Sequence, residues 1–345
     1  MKIKAGVIGA TGYAGVELVR LLLKHPNVEI AAVSSVSFEG KQLDEVYPAL
    51  RKICGLECGD ADEVVSACDV VFAALPHGLS QDIAYRCVNL GKKFIDLGAD
   101  FRLENPEEYE KWYACEYRYP ELHEKAVYGI PELFRDEIKG KSLVANPGCY
   151  PTSAALGLAP ALRAGIIEPE GIVIDSKSGV TGAGRKPTQG THFPECNEAF
   201  SAYKVAEHRH TPEIEQTLSR ISGDKASVTF VPHLLPVNRG ILSTMYAKLN
   251  KEITAAQVRE MYREAYDGEY FVRVLPEGAG ADIKNVKCSN YCDIQVYVDE
   301  HTKTLIVTSA IDNMVKGASG QAVQNMNLLF GFEETAGIDM IPLTF

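Results

Sequence analysis

Residues 145–153, ANPGCYPTS, set Cys149 between a proline–glycine corner and a stretch of helical pattern, CYPTSAALGLAPALRAG, with Pro151 in its first turn and Gly165 near its stop. A thiol at a helix start has its thiolate stabilised by unpaired N–H groups and the helix dipole, which lowers its pKa toward neutrality. To act as a nucleophile it also needs a group that handles protons. EHRHTPEIEQ supplies His208 and His210, ahead of a helix with Thr211 as its cap and Pro212 at its first position. In an extended stretch the two imidazoles point one way and Arg209 the other. A general base here should titrate like an ordinary imidazole, near ~6.5. The same residues also fit a packed helix-start cysteine and a His-x-His metal pair. The paired thiols CGLEC (Cys54, Cys58) and CSNYC (Cys288, Cys292) lack a matching second pair, so no metal site is expected.

GVIGATGYAGVELV carries Gly9, Gly12 and Gly15 between a strand pattern and a helix pattern, the setting of a dinucleotide loop. Glycines allow the tight turn and close approach, and the helix start offers N–H groups to a pyrophosphate. An NAD site usually ends its second strand on an acidic residue. Here that strand ends AAVSSVSFEGK, with Ser34 and Ser35 at its tip and Lys41 just beyond, a set that suits the 2′-phosphate of NADP although Glu39 works against it. Thiol, imidazole and nicotinamide loop together point to redox chemistry through a covalent thioester. Two further loops offer anion donors: SKSGVTGAGRKP, with Ser178 and Arg185, and DLGADFRL, with Arg102 beyond a strand's carboxyl end.

The elements that must position these residues change character midway. KAGVIGA, VEIAAVSS, CDVVFAALP, KFIDLGADFR and KSLVANPG read as buried strands alternating with helices, which indicates a Rossmann-like, doubly wound parallel sheet. After residue 150 come strand patterns in GIVIDSKSG, ASVTFVPHL, ILSTMYAKLN, YCDIQVYVDE and TLIVTSAID, with TAAQVREMYREAY as a helix between them. Their spacing predicts a second α+β domain built on a mainly antiparallel sheet. The expected division is residues 1–148 for the dinucleotide domain and 149–312 for the catalytic domain, with Cys149 at the seam. The late helix NMVKGASGQAVQNMNLLFG closes the chain.

Composition narrows the class. The 345 residues have room for two domains, and a formal net charge of −11 argues against nucleic-acid or anionic-membrane surfaces. The N-terminal stretch enters a strand pattern directly, no stretch reaches the ~20 apolar residues of a membrane span, and a cytoplasmic location is expected. Nine cysteines, an odd count without a scaffold rhythm, fit reduced thiols.

These motifs resemble the N-acetyl-gamma-glutamyl-phosphate reductase family. The matching stretches are GATGYAGVELVRLL, ALPHG, IDLGADFRL, YGIPEL, NPGCYPT, SGVTGAGR, HRHTPEI, PVNRGI and IDNMVKGASGQAVQNMN, spread from first strand to last helix. The resemblance implies that Cys149 is the nucleophile and His208 the general base. It implies that NADP lies on Gly9, Thr11, Gly12, Tyr13, Ala14, Gly15, Ser34, Ser35 and Pro76, with Asn313 and Lys316 closing over it as residues 313–345 rejoin the first domain. Arg102, Ser178, Arg185 and His210 are the implied substrate contacts, and a homo-oligomer, dimer or tetramer, is the implied assembly. Aspartate-semialdehyde dehydrogenases are similar but carry a histidine after a PV segment, where PVNRGI has Ile241. A lysine-pathway relative using an acidic carrier protein needs a basic rim, which the net charge disfavours. A redox sensor without turnover needs the thiol but not the arginine loops.

Overall fold

The computed structural model describes residues 2–343. The chain divides into two compact units: one runs to Pro147 and takes in Ala318–Asp339, and the other comprises Gly148–Gly317 and the tail from Met340. The return to the first unit, expected at about residue 313, therefore falls at Ala318, which leaves Asn313 and Lys316 in the second unit.

The first unit is built on strands β1 (Ile3–Ile8), β2 (Val28–Ser34), β3 (Cys58–Gly59), β4 (Val70–Ala73), β5 (Lys93–Asp96), β6 (Val127–Tyr128) and β7 (Leu143–Ala145). Their order is β3-β2-β1-β4-β5-β7-β6, and every pairing is parallel. Parallel neighbours need crossovers, which place helices such as Tyr13–Leu22 and Gln81–Asn89 over the sheet and bury strands like β4 along their whole length. The strand order reverses between β1 and β4, so their carboxyl ends form the switch point where such sheets take ligands. The helix Gly320–Phe330 packs in this unit with polar residues in its buried face. Its Asn325 donates from Nδ2 to the Gly129 carbonyl at 2.9 Å and to Asn146 Oδ1 at 3.1 Å, which ties the helix to the ends of β6 and β7.

The second unit holds β8 (Ile172–Gly179), β9 (Ser201–Ala202), β10 (Val228–Leu235), β11 (Ile241–Lys248), β12 (Val272–Val274), β13 (Cys292–Asp299) and β14 (Thr304–Ile311). The order is β12-β13-β14-β11-β8-β10-β9, antiparallel except for the pairs β8–β10 and β12–β13. The helix Cys149–Arg163 lies against one face of this sheet. Below it sits a hydroxyl network: Ser153 Oγ donates to Ser243 Oγ at 2.9 Å and lies 3.1 Å from Ser309 Oγ, Ser176 Oγ is 2.7 Å from Ser243 Oγ, and Cys292 Sγ is 3.4 Å from Ser309 Oγ. On the opposite face, register aligns Val173, Tyr246, Ile306 and Tyr297 in one row across β8, β11, β14 and β13. Val173, Tyr246 and Tyr297 are exposed. Among the described residues, no helix is long and apolar enough to cross a membrane.

Candidate active site

Cys149 is the first residue of its helix, with Gly148 as N-cap at φ −68° and ψ 157°, no side-chain cap and no acidic residue in the first turn. The thiol is half-buried, whereas Cys54, Cys58, Cys68, Cys87 and Cys292 are buried. Burial pushes the Cys68 thiol up to about 11 and the Cys87 thiol up to about 12, which keeps both protonated and inert. The chain around Cys149 is tightly held. Gly148 N–H donates to Oε1 of the fully buried Glu213 at 2.8 Å, and Gly317 packs so closely that a Cβ there would lie 2.8 Å from Cys149 Cβ. Glycine at 317 is thus required by approach, inside the π-helical turn Val315–Ser319.

Tyr150 joins the nucleophile to the imidazoles. Its ring centroid is 5.5 Å from that of His208, 5.9 Å from His210 and 5.2 Å from Phe230, and His208 and His210 are 4.8 Å apart. Tyr203 stands 5.6 Å from His208, and its hydroxyl is 3.0 Å from that of Tyr150. Burial raises both phenols, Tyr203 to about 12, and the charge of Cys149 adds to the rise in each. Burial first, then the neighbouring His210, Lys204 and Arg209, push the His208 imidazole down to about 2. The expectation of a base titrating near ~6.5 is therefore corrected: a ring in this setting stays neutral at physiological pH.

The remaining expected residues fall in different surroundings. Ser178 is buried at the end of β8, its hydroxyl bonded to the Gly179 carbonyl at 3.1 Å, and Arg185 is half-buried on the following loop. Asn313, expected on the cofactor, accepts Gly240 N–H through Oδ1 at 2.8 Å and donates from Nδ2 to Thr181 Oγ1 at 3.0 Å, so the side chain braces two loops of the second unit. Lys316 is fully buried in that unit, with Nζ 6.0 Å from the centre of the Phe271 ring. Arg102, expected to meet substrate, is buried in the first unit and donates from Nε to the Asn146 carbonyl at 2.8 Å and from Nη2 to the Leu97 carbonyl at 2.9 Å. A guanidinium bonded to main chain from Nε and Nη2 anchors the chain at the position where a substrate contact was expected.

The glycine loop fits a dinucleotide. Gly9 has φ +82°, and a Cβ on Gly15 would collide with the Gly9 carbonyl oxygen, so only glycines close this turn. The helix Tyr13–Leu22 starts at Gly12 without a side-chain cap or an acidic first turn, a start suited to a pyrophosphate. Tyr13 is exposed, Ala14 accepts from Ser319 Oγ through its carbonyl at 2.9 Å, and Pro76 is exposed on the loop after β4. Ser34 and Ser35 are buried, and Ser35 Oγ is 2.6 Å from Thr11 Oγ1, which joins the tip of β2 to the glycine loop.

Sequence reading missed Glu213, Tyr150 and Tyr203. A signal for Glu213 was present: it shares the buried face of the helix His210–Ser222 with Pro212, Ile214, Thr217 and Leu218, and a carboxylate among such residues needs a partner.

Comparison with known proteins puts this arrangement in the semialdehyde-dehydrogenase class. Residues 4–141 match the model of the semialdehyde dehydrogenase NAD binding domain, and residues 149–313 match that of the semialdehyde dehydrogenase dimerisation domain. The fold is similar to aspartate semialdehyde dehydrogenase II from Vibrio cholerae complexed with ASA, at TM-score 0.74 and 18% identity, covering 96% of this chain and 99% of that one. It is also similar to aspartate semialdehyde dehydrogenase with NADP from Candida albicans, at TM-score 0.71 and 17% identity over 95% and 98% of the two chains. In sequence the chain is 53% identical to an N-acetyl-gamma-glutamyl-phosphate reductase of Clostridium botulinum and 55% identical to one of Brachyspira hyodysenteriae, each over 99% of this chain and 100% of the relative. The chain belongs to the N-acetyl-gamma-glutamyl-phosphate reductase family.

Proposed function

We propose that this protein reduces N-acetyl-gamma-glutamyl phosphate to N-acetylglutamate semialdehyde with NADPH, a step of arginine biosynthesis, through a thioester on Cys149. The observation that carries this reading is the half-buried sulfur at an uncapped helix start, followed directly by the tyrosine that packs against His208 and His210. The Cys149 thiolate attacks the acyl carbon, its C–S bond forms as the C–O bond to phosphate breaks, and the departing phosphate takes its proton from water. NADPH, when bound, supplies the hydride that reduces the thioester carbon. The resulting oxyanion needs a hydrogen-bond donor rather than a proton, because its collapse to the aldehyde returns the electron pair to sulfur. Neutral His208 is suited to that donor role, as a neutral imidazole that polarises an oxygen. Ser178, Arg185 and His210 are the candidates for holding the substrate's phosphate and carboxylate.

NADPH is assigned to Gly9, Thr11, Gly12, Tyr13, Ala14, Gly15, Ser34, Ser35 and Pro76. The match to a dimerisation domain and the row Val173–Tyr246–Ile306–Tyr297, exposed at all but Ile306, support a homodimer that covers this sheet face. A small-molecule substrate, neither nucleic acid nor membrane, and a cytoplasmic location complete the reading. The test is the reverse assay: N-acetylglutamate semialdehyde, phosphate and NADP should yield NADPH, with phosphate required. Equal or faster turnover of aspartate semialdehyde would sink the substrate assignment.

A further inference from the structure

The end of β5 and the turn after it carry two carboxylates, Asp96 and Asp100, that the reaction does not use. Asp96 and Asp100 are both fully buried. Asp100 Oδ1 accepts Gly78 N–H at 2.6 Å and the Tyr109 hydroxyl at 2.9 Å, while its Oδ2 accepts Ser80 N–H at 2.9 Å. Three donors thus converge on one dry carboxylate, two of them main-chain N–H groups. Asp96 accepts Gly98 N–H at 2.9 Å and Asp100 N–H at 3.2 Å, so each carboxylate shapes the segment that presents the other.

The loop whose N–H groups donate to Asp100 follows β4, at the switch point of the parallel sheet. Gly78 sits at φ +85°, a left-handed conformation, and the N–H groups of Gly78 and Ser80 go to Asp100, across twenty-two and twenty residues of sequence. Pro76 and His77 stand at the head of the same loop. The carboxylate thus fixes, from beneath, the backbone facing the ligand end of the sheet.

We infer that Asp100 is a positioning residue for NADPH: by holding the Gly78 and Ser80 amides it sets where Pro76 and His77 meet the nicotinamide half. This rests on the cofactor reading given above. The other charged or titratable groups around the pair include Arg102 on the same turn, Tyr109 on the helix Pro106–Tyr113, His123, and Cys115, whose sulfur packs against Gly78. Burial first, and the neighbouring Asp100 second, raise Asp96 to about 7, so this carboxyl gains its charge as pH rises through neutrality. That charge forms on a group bonded to the Gly98 and Asp100 amides, in the turn that presents Asp100 to the loop.

Asp100→Asn tests this with little change of shape, because an amide NH₂ then faces an N–H donor. NADPH affinity by fluorescence titration should fall by about 10–100-fold, and KM for NADPH should rise with it, as expected for losing a buried charged hydrogen bond. KM for N-acetylglutamate semialdehyde in the reverse assay and the alkylation rate of Cys149 should stay within about twofold, which a general loss of structure would not allow. Asp96→Asn, which removes the carboxyl that titrates near neutrality, should remove the part of the wild-type weakening above neutral pH that NADPH's own phosphate does not explain. A folded Asp100→Asn protein that binds NADPH like the wild type overturns the inference. If that variant does not fold, unchanged pH dependence in Asp96→Asn overturns it. Ser35→Asp separates the two readings: if it too leaves NADPH binding intact, the cofactor site itself has been misassigned.

Discussion

The main-chain N–H of His210 donates to Nδ1 of His208 at 3.1 Å. A neutral imidazole that accepts at Nδ1 must carry its proton on Nε2, so this bond selects the tautomer as well as the ring orientation. In the resting protein the outer nitrogen of His208 is therefore an N–H donor.

Nitrogen-15 spectra of histidine-labelled protein should show His208 neutral with its proton on Nε2 from about pH 8 down to about pH 5, where an exposed imidazole would already be charged. The pH profile of kcat should correspondingly lack a His208 limb near ~6.5. His208→Asn should cut kcat by about 10²–10³-fold, the cost of one lost oxyanion donor. His210→Asn keeps the main-chain donor and should act mainly on the substrate KM. A His208 signal that titrates near the ordinary imidazole value would overturn the donor role.

Cys149→Ser should abolish turnover and leave NADPH affinity unchanged, since an alcohol at a helix start stays protonated where a thiol does not. Brief iodoacetamide treatment near neutral pH should label Cys149 well before the buried Cys68 and Cys87, whose thiols are held up at about 11 and about 12. Residual activity within about tenfold of wild type would remove Cys149 from the mechanism.

Ser35→Asp should weaken NADPH far more than NADH, because a carboxylate would replace the hydroxyl that meets Thr11 Oγ1 at 2.6 Å. Equal losses for both cofactors in titration would mean that the 2′-phosphate lies elsewhere.

Buried Asp96 and half-buried His123 should oppose each other in the dependence of stability on pH. His123 is lowered from 6.5 to about 4, chiefly by burial, so between those values the unfolded chain binds the extra proton and stability is lost as pH falls. Asp96 is raised from 3.8 to about 7, so over that window the folded chain holds the extra proton and stability is lost as pH rises. Urea midpoints from about pH 4 to about pH 7 should therefore rise more steeply with pH in Asp96→Asn and less steeply in His123→Gln than in the wild type. Slopes that move together would contradict the assigned surroundings.

The long elements were legible in the sequence because burial on one or both faces imprints a period. The apolar runs of β1, β4 and β5 and the alternation in β8 and β11 are examples. β3, β6, β9 and β12 are two or three residues long, too short for any period, and exist through pairing with neighbours distant in sequence. The same divide runs through the site. Cys149 and the histidines stood out because their residue types are rare and reactive. Glu213 and Asp100 did not, because each is defined by main-chain donors sixty-five and about twenty residues away. Arg102 and Asn313 show the converse: polar residues in promising loops whose groups are committed to the protein's own backbone and side chains.

The hydroxyl network beneath the Cys149 helix constrains how this protein can diverge. Ser153, Ser176, Ser243 and Ser309 satisfy one another in a dry core, so replacing one with alanine leaves its partners with unmet donors or acceptors, at about 1–3 kcal/mol for each group stranded. Replacing the set with apolar residues of matching volume removes that penalty altogether. Lineages should therefore cross between the two kinds of core in concerted steps. A relative with an apolar residue at the position of Ser243 should carry apolar residues at those of Ser153 and Ser176 as well, and the helix that presents the nucleophile would then be free to settle in a new register.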